Sequence, residues 1–134
     1  MAQVSALFPM MQFSWAPWRA LDKKHAELCK SAADLHKRFA PYIVKLVKES
    51  AISGEPIVRH MEYEFPAQDF GRTLDQFMLG GEVLVAPVIT KGAIKREVKL
   101  PKGKWSYLGR TDYIGGTTVT VDAPLEILPY FYKK

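Results

Sequence analysis

The hydrophobic period of this chain changes at Pro66, and this change limits the possible folds more than any other feature. Before Pro66, apolar residues recur at steps of three and four along one stretch, the spacing of a single helix face: Leu28, Ala32, Leu35, Phe39, Ile43 and Leu46. After Pro66, short segments with alternating apolar residues are separated by glycine and proline, which is typical of strands. The 134 residues should therefore form two pieces, residues 1–65 and residues 66–134.

The first piece has the order strand, helix, strand. Ala6–Phe13 is apolar on both faces, as in a strand buried within a parallel sheet. Asp22 can cap the start of a long helix, Ser53–Gly54 can end it, and Pro41 should kink or split it. Glu55–Phe65 then has the character of a second strand. This order predicts a parallel βαβ unit with a right-handed crossover.

The second piece has the pattern of an antiparallel, sandwich-type sheet. Four segments are predicted as strands: Val83–Ile89, Ala93–Pro101, Thr117–Asp122 and Pro124–Tyr132. Thr73–Leu79 can form about two helical turns before a bend at Gly80–Gly81. Gly115–Gly116 suits a tight hairpin between strands.

Composition excludes several functional classes. The net charge is +5, but the basic residues are spread along the chain, whereas a nucleic-acid site needs a dense basic patch. The single cysteine, Cys29, has no disulfide partner and no metal-ligand spacing around it. The apolar start, residues 1–18, lacks a basic region and contains Pro9 and Pro17, so neither a signal segment nor a membrane span is predicted. With no asparagine for N-glycosylation, the compartment stays open.

Four segments resemble glycoside hydrolase family 31, in the order that this family has them. They are "FPMMQFSWAPWR" (Phe8–Arg19), "SGEPIVRHMEYEFP" (Ser53–Pro66), "DQFMLGGEVLVAPV" (Asp75–Val88), and "REVKLPKGKW" with "YIGGTTVTVDAPLEILPYF" (Arg96–Trp105 and Tyr113–Phe131). The resemblance implies an α+β fragment: the last strand–helix–strand of a (β/α)8 barrel, followed by an antiparallel β-sandwich-type domain.

The resemblance also implies a function for a longer protein. Family 31 enzymes are retaining α-glycosidases that hydrolyse O-glycosyl bonds with two carboxylates and no cofactor. Those carboxylates follow the fourth and sixth barrel strands, whereas this chain resembles the family only from the seventh strand onward. We therefore expect no catalytic residue in this chain, and carbohydrate as the partner of the full-length protein. The alternatives are a carbohydrate-binding or a purely structural β-domain, whose exposed sheet edges would favour self-association.

By the same resemblance, substrate contacts would come from the carboxyl ends of the two barrel strands. Gln12 and Ser14, which stand where many members have Arg and His, are expected to bind sugar hydroxyls or else the local backbone. Trp15 is expected to stack on a sugar ring or to pack within its loop, and Trp18 has the same two interpretations. Arg59 is either a structural partner or a substrate contact, with the structural role favoured.

The remaining aromatic and histidine residues have structural interpretations first. Trp105, Tyr107, Tyr113 and Phe131 are expected in a core or joint, with carbohydrate binding as the alternative. The three histidines are likewise expected to have structural or surface roles. His60 is expected to be a satisfied hydrogen-bonding residue at a strand end, and the sequence places His25 and His36 on the helix surface.

Overall fold

The structure is a computed structural model that describes residues 2–134. It divides into two compact units, Met1–Ile57 and Val58–Lys134. The first unit is helical and the second is mainly β-structure. This division lies before Pro66. The hydrophobic pattern predicts a domain boundary of the longer protein at Pro66, and that boundary stays a prediction.

Within residues 2–57, the first unit contains three helices: α1 (Ala2–Ser5), α2 (Pro17–Ala20) and α3 (Lys23–Ser53). The strand predicted over Ala6–Phe13 is wrong, because these residues form turns and coil. A buried parallel strand needs a neighbouring strand to pair with its backbone groups, and the described residues of this unit contain none. Only Ala6 and Leu7 of this apolar run are buried, whereas Met10 and Phe13 are exposed.

Helix α3 begins and ends where its sequence predicts. The Asp22 carboxylate accepts a hydrogen bond from the His25 backbone N–H at 3.0 Å, which satisfies one free donor of the first turn. At the other end, Gly54 adopts a left-handed conformation with φ of 76°. Its N–H donates to the Ser50 carbonyl at 2.8 Å. Glycine suits this position because a Cβ is disfavoured at such a φ.

The apolar face of α3 is buried as the spacing predicts, with Leu28 only partly buried. Its fully buried members are Ala32, Leu35, Phe39, Ile43 and Leu46. Pro41 does not split the helix, since α3 is continuous from Lys23 to Ser53. The alternative expectation, a kink at Pro41, stays a prediction. Burial of Phe39 and Ile43 on either side of Pro41 helps to offset the hydrogen bond that proline cannot make.

The second unit contains eight short strands and one helical turn. They are β1 (Val58–His60), α4 (Met61–Glu64), β2 (Phe77–Leu79), β3 (Val83–Val85), β4 (Lys95–Lys99), β5 (Lys104–Tyr107), β6 (Thr111–Ile114), β7 (Thr118–Asp122) and β8 (Tyr130–Lys133). Six strands form one sheet in the order β1-β2-β3-β8-β5-β6, and β4 pairs with β7 in a second sheet. Every pair is antiparallel, which confirms the predicted antiparallel character.

The parallel βαβ unit predicted over Ala6–Phe65 does not form within the described residues. Of the predicted strand Glu55–Phe65, only Val58–His60 is extended, and it pairs antiparallel with β2. The His60 imidazole then accepts a hydrogen bond from the Glu62 N–H at 3.2 Å, which caps α4 and ends the strand.

The two helical turns predicted over Thr73–Leu79 are also wrong, because Phe77–Leu79 is strand β2. Gln76 explains the extended conformation. Its amide donates to the Lys99 carbonyl at 2.8 Å and accepts from the Lys99 N–H at 3.1 Å, with only 4% of Gln76 exposed. The Gln76 side chain therefore makes the two hydrogen bonds to Lys99 that the backbone of a neighbouring strand would make to β4. Gly80–Gly81 makes the predicted bend between β2 and β3.

Gly115–Gly116 does not make the predicted hairpin, because β6 and β7 belong to different sheets. The Gly115 N–H donates to the Gly103 carbonyl at 2.7 Å, and the Gly116 N–H donates to the Leu100 carbonyl at 2.9 Å. A Cβ on Gly115 would lie 1.8 Å from the Pro101 carbonyl oxygen. Glycine is thus required here for a close approach between two backbone segments.

Strands from both sheets contribute to one core in the second unit. Its buried members are Met61, Phe65, Phe70, Met78, Leu84, Ala86, Val98, Leu100, Trp105, Val121 and Phe131. The Trp105 Nε1 donates to the Pro101 carbonyl at 2.8 Å, and its ring meets Phe65 edge-on with centroids 6.0 Å apart. The interpretation of Trp105 and Phe131 as core residues is confirmed.

Tyr107 and Tyr113 extend this core, with ring centroids 5.0 Å and 5.9 Å from that of Phe131. The Tyr107 hydroxyl donates to the Asp122 carbonyl at 2.6 Å. Burial raises the pKa of Tyr107 to about 12, so the phenol stays neutral and keeps this donor. The four aromatic residues therefore pack in the core or against it.

Candidate functional site

Gln12, Ser14 and Trp15 lie together in the exposed coil between α1 and α2. Trp15 is 73% exposed. Within residues 2–134, neither the Gln12 nor the Ser14 side chain has a hydrogen-bond partner, so local backbone bonding does not occupy them. The segment therefore offers two polar groups and one indole face to solvent, which is what saccharide binding requires. Their role in substrate binding stays a prediction.

Trp18 contributes to an apolar groove of about 650 Å³ along α2 and α3. Its lining includes Phe13, Pro17, Trp18, Leu21, Ala26 and Cys29. Trp18 remains 75% exposed, so the groove is open on that side. Both interpretations of Trp18, stacking on a sugar ring and packing within its loop, therefore stay predictions.

Arg59 lies in the second unit, whereas Gln12, Ser14 and Trp15 belong to the first. The Arg59 guanidinium donates to the Glu64 carboxylate at 2.7 Å, and both side chains are largely buried. An added Cβ on Gly81 would come within 3.1 Å of the Glu64 carboxylate, so Gly81 leaves room for this pair. These contacts favour the structural role for Arg59, and substrate contact by Arg59 stays a prediction.

The histidines have structural partners. His25 Nδ1 lies 2.6 Å from the Asp22 carboxylate, and hydrogen bonding from the His25 backbone, then from its ring, lowers the pKa of Asp22. The surface interpretation of His36 is incomplete, because His36 is half-buried and its Nδ1 lies 3.0 Å from the Ala6 carbonyl. A carbonyl oxygen only accepts, so Nδ1 carries the proton of this bond. This contact joins α3 to the turn that follows α1.

Most acidic side chains with described contacts serve structure. Among the described residues, carboxylates form ion pairs in Asp22–His25, Glu49–Lys45, Glu64–Arg59, Asp69–Lys99, Asp75–Arg96 and Asp112–Lys134. A hydrogen bond from Lys134 lowers the pKa of Asp112. The Glu62 carboxylate accepts the Phe70 N–H at 2.8 Å. A retaining glycosidase needs two carboxyl groups facing one glycosidic bond, and these contacts instead tie carboxylates to local cations and backbone.

A second depression, the polar cleft, was not predicted from the sequence. It encloses about 370 Å³, and its lining includes Arg72, Thr73, Asp75, Arg96, Glu97 and Thr118. The Arg96 guanidinium contacts the Asp75 carboxylate at 2.7 Å and the Asp75 carbonyl at 2.8 Å. The pairing of β4 with β7 and the Gln76–Lys99 bonds bring these residues together. In the sequence, the one signal for this cleft is Gln76, a polar residue directly before the apolar segment Phe77–Leu79.

Neither a metal-ligand group nor a helix able to span a membrane occurs in the part of the chain that the structure describes. Within it, no three histidine, cysteine, aspartate or glutamate residues group in a way that could hold a metal ion. Of the helices in residues 2–134, none combines the length and the apolarity that a membrane span requires.

Comparison with known proteins identifies the family. Residues 54–134 match the model of the glycosyl hydrolase family 31 C-terminal domain. The myogenesis-regulating glycosidase of Mus musculus is 39% identical over 109 residues, covering 80% of this chain and 15% of the relative. A probable glucan 1,3-alpha-glucosidase of Arabidopsis thaliana is 37% identical over 121 residues, covering 87% of this chain and 13% of the relative.

A solved structure is similar over most of the chain. The family 31 dextranase of Flavobacterium johnsoniae, in complex with isomaltotriose, superposes with a TM-score of 0.83 and 34% identity, covering 88% of this chain and 15% of the dextranase chain. The chain thus spans roughly a seventh of the length of these relatives. The matched residues exceed half of the chain and carry the strands described above, so the chain belongs to glycoside hydrolase family 31, of which residues 54–134 form the C-terminal domain.

Proposed function

We propose that this chain is the C-terminal segment of a retaining α-glycosidase whose two catalytic carboxylates lie outside it. The match of residues 54–134 to the C-terminal domain of the family is the observation that carries the proposal. The structural engagement of the acidic side chains supports it, because a nucleophile and a general acid/base must be about 5–5.5 Å apart across one glycosidic bond. The parent protein would hydrolyse O-glycosyl bonds, and this chain would support the barrel that does so.

In this proposal, carbohydrate reaches the chain through the full-length protein. The solved dextranase relative holds isomaltotriose, which supports an α-linked oligosaccharide as the substrate class. Gln12, Ser14 and Trp15 would then contribute hydrogen bonds and a stacking face to the substrate site. Arg59 would support that region through its bond to Glu64 rather than through substrate. The last strand–helix–strand of a (β/α)8 barrel is the proposed setting for residues 1–65.

An activity assay tests the proposal directly. The purified chain, incubated with aryl α-glycosides such as p-nitrophenyl α-glucoside, should release nitrophenol no faster than buffer alone. Turnover that rises in proportion to chain concentration would show that the catalytic carboxylates are present here, and would overturn the proposal. The proposal also makes a positive prediction about the upstream part of the same transcript. That part should encode the two catalytic aspartates, one at each of two barrel-strand ends.

The sheet edges give a second expected property, self-association. Strands β1 and β6 terminate the six-stranded sheet, and β6 carries Ile114, which is 70% exposed. An edge strand has unpaired backbone groups on its outer side, which makes it a template for pairing with another chain. Sedimentation velocity should therefore show concentration-dependent association. Ile114→Lys should weaken it, whereas Ile52→Lys, at a 90% exposed position on α3, should leave it unchanged. A chain that stays monomeric at every concentration would contradict edge pairing.

A further inference from the structure

We propose that the polar cleft of the second unit binds a neutral saccharide unit. The first argument is the chemistry of the lining. Arg72 and Arg96 supply donors, Asp75 and Glu97 supply acceptors, and the hydroxyl of Thr118 can do both. A sugar hydroxyl also donates and accepts, so a polyhydroxylated ligand can use both kinds of group at once.

The charges of the lining select against other ligand classes. A bound anion would face the carboxylates of Asp75 and Glu97, and a bound cation would face two guanidinium groups and the ammonium group of Lys99. An apolar ligand would meet a single apolar side chain of the lining, Leu74, which is itself 83% exposed and encloses no apolar surface. A neutral ligand rich in hydroxyls is the class that none of these groups opposes.

The second argument is unused hydrogen-bonding capacity. Across the described residues, the Arg72 guanidinium and the hydroxyls of Thr73 and Thr118 have no side-chain partner. Arg96 is 13% exposed, and its Nε is buried without a hydrogen-bond partner among the same residues. Polar groups held in a concave site with unfilled capacity are what orient a small ligand.

The third argument is rigidity. One wall of the cleft is the β4–β7 ladder, in which Lys99 pairs with Thr118. The opposite wall, residues 72–76, is held against β4 by the two Gln76–Lys99 hydrogen bonds and by the Asp75–Arg96 ion pair. A site fixed by such contacts loses less entropy when a ligand binds. The volume of about 370 Å³ suits one or two sugar rings.

The cleft lacks an aromatic stacking face, so its affinity should be weak. We expect a dissociation constant on the order of 1–10 mM, because hydrogen bonds to solvated sugar hydroxyls give little net free energy. Such an affinity matters when the same protein also holds the sugar chain elsewhere, since a second contact on one chain raises the overall affinity.

A titration followed by amide chemical shifts tests this proposal. The ¹⁵N-labelled full chain would be titrated with isomaltotriose, and separately with maltotriose, to about 50 mM, well above the expected dissociation constant. Saturable shifts should appear at the amides of Arg72, Thr73 and Thr118. Arg72→Ala should weaken binding by about five-fold to tenfold. The matched control, Arg110→Ala, removes an exposed arginine outside the cleft and should leave the titration unchanged.

Three results would overturn the proposal. One is the lack of any saturable shift at these amides with either sugar. Another is equal weakening by Arg72→Ala and Arg110→Ala. The third is a titration in which sodium sulfate produces the same cleft shifts at lower concentration than the sugars, which would make the cleft an anion site. None of these results bears on the aryl-glycoside assay. A failure of the saccharide-binding proposal for the cleft can therefore be distinguished from a failure of the glycosidase proposal.

Discussion

Gly115→Ala should destabilise the second unit by more than about 4 kcal/mol, a loss reached by few single substitutions. The new Cβ would lie 1.8 Å from the Pro101 carbonyl oxygen, a separation that no rotamer can relieve. The backbone must move apart, and the hydrogen bonds from Gly115 to Gly103 and from Gly116 to Leu100 would weaken together. Because native domains are stable by about 5–15 kcal/mol, such a loss approaches complete unfolding.

Urea unfolding followed by tryptophan emission measures this effect, since Trp105 is buried in the same unit and its emission shifts when it meets water. Gly71→Ala is the matched control, because a Cβ on Gly71 meets nothing within 4 Å and its φ is not positive. That control should change stability by no more than about 1 kcal/mol, in the stabilising direction through a less flexible unfolded chain. Equal unfolding midpoints for the two variants would refute the close approach.

Trp105→Ala should cost the second unit about 3–5 kcal/mol. The indole is fully buried, meets Phe65 edge-on and donates to the Pro101 carbonyl. Truncation would create a cavity at the centre of the core and leave that carbonyl without its donor. Trp105→Phe should lie between the wild type and Trp105→Ala, since it keeps the ring contact and loses only the Nε1 donor.

Amide hydrogen exchange in β5 and β8 is the measurement for Trp105, because Trp105 lies in β5, β8 pairs with β5, and both strands report on the second unit alone. Trp18→Ala removes the same side chain from a position that is 75% exposed, and should leave this protection unchanged. A Trp105→Ala variant with wild-type protection in both strands would mean that the core does not depend on the indole.

The sequence predicted best what local signals determine. Helix α3 needs only its own apolar spacing, the Asp22 cap and the Gly54 ending, and its bounds agree with those signals. The strand predicted over Ala6–Phe13 was wrong because a strand depends on residues far from it in the sequence. An apolar run becomes a strand only when neighbouring strands accept its hydrogen bonds, and that requirement is invisible in the run itself.

Strands β5 and β6 were missed because their own residues carry little alternation, as in "KWSY" and "TDYI". They are strands because β8 pairs with β5 from far along the chain. The candidate site divides in the same way. Gln12, Ser14, Trp15 and Arg59 came from the family resemblance, one residue at a time. The polar cleft combines residues near 72, 96 and 118, which only the β4–β7 pairing and Gln76 bring together.

The position of β8 has a consequence for the timing of folding. Strand β8 comes after all the others in the sequence, yet it lies inside the large sheet, between β3 and β5. During synthesis, the hairpin β2–β3 and the hairpin β5–β6 can form early, but they cannot join until residue 133 has left the ribosome. The emerging chain therefore exposes two half-sheets with open edges until that moment, and a message truncated before Tyr130 would leave them apart permanently.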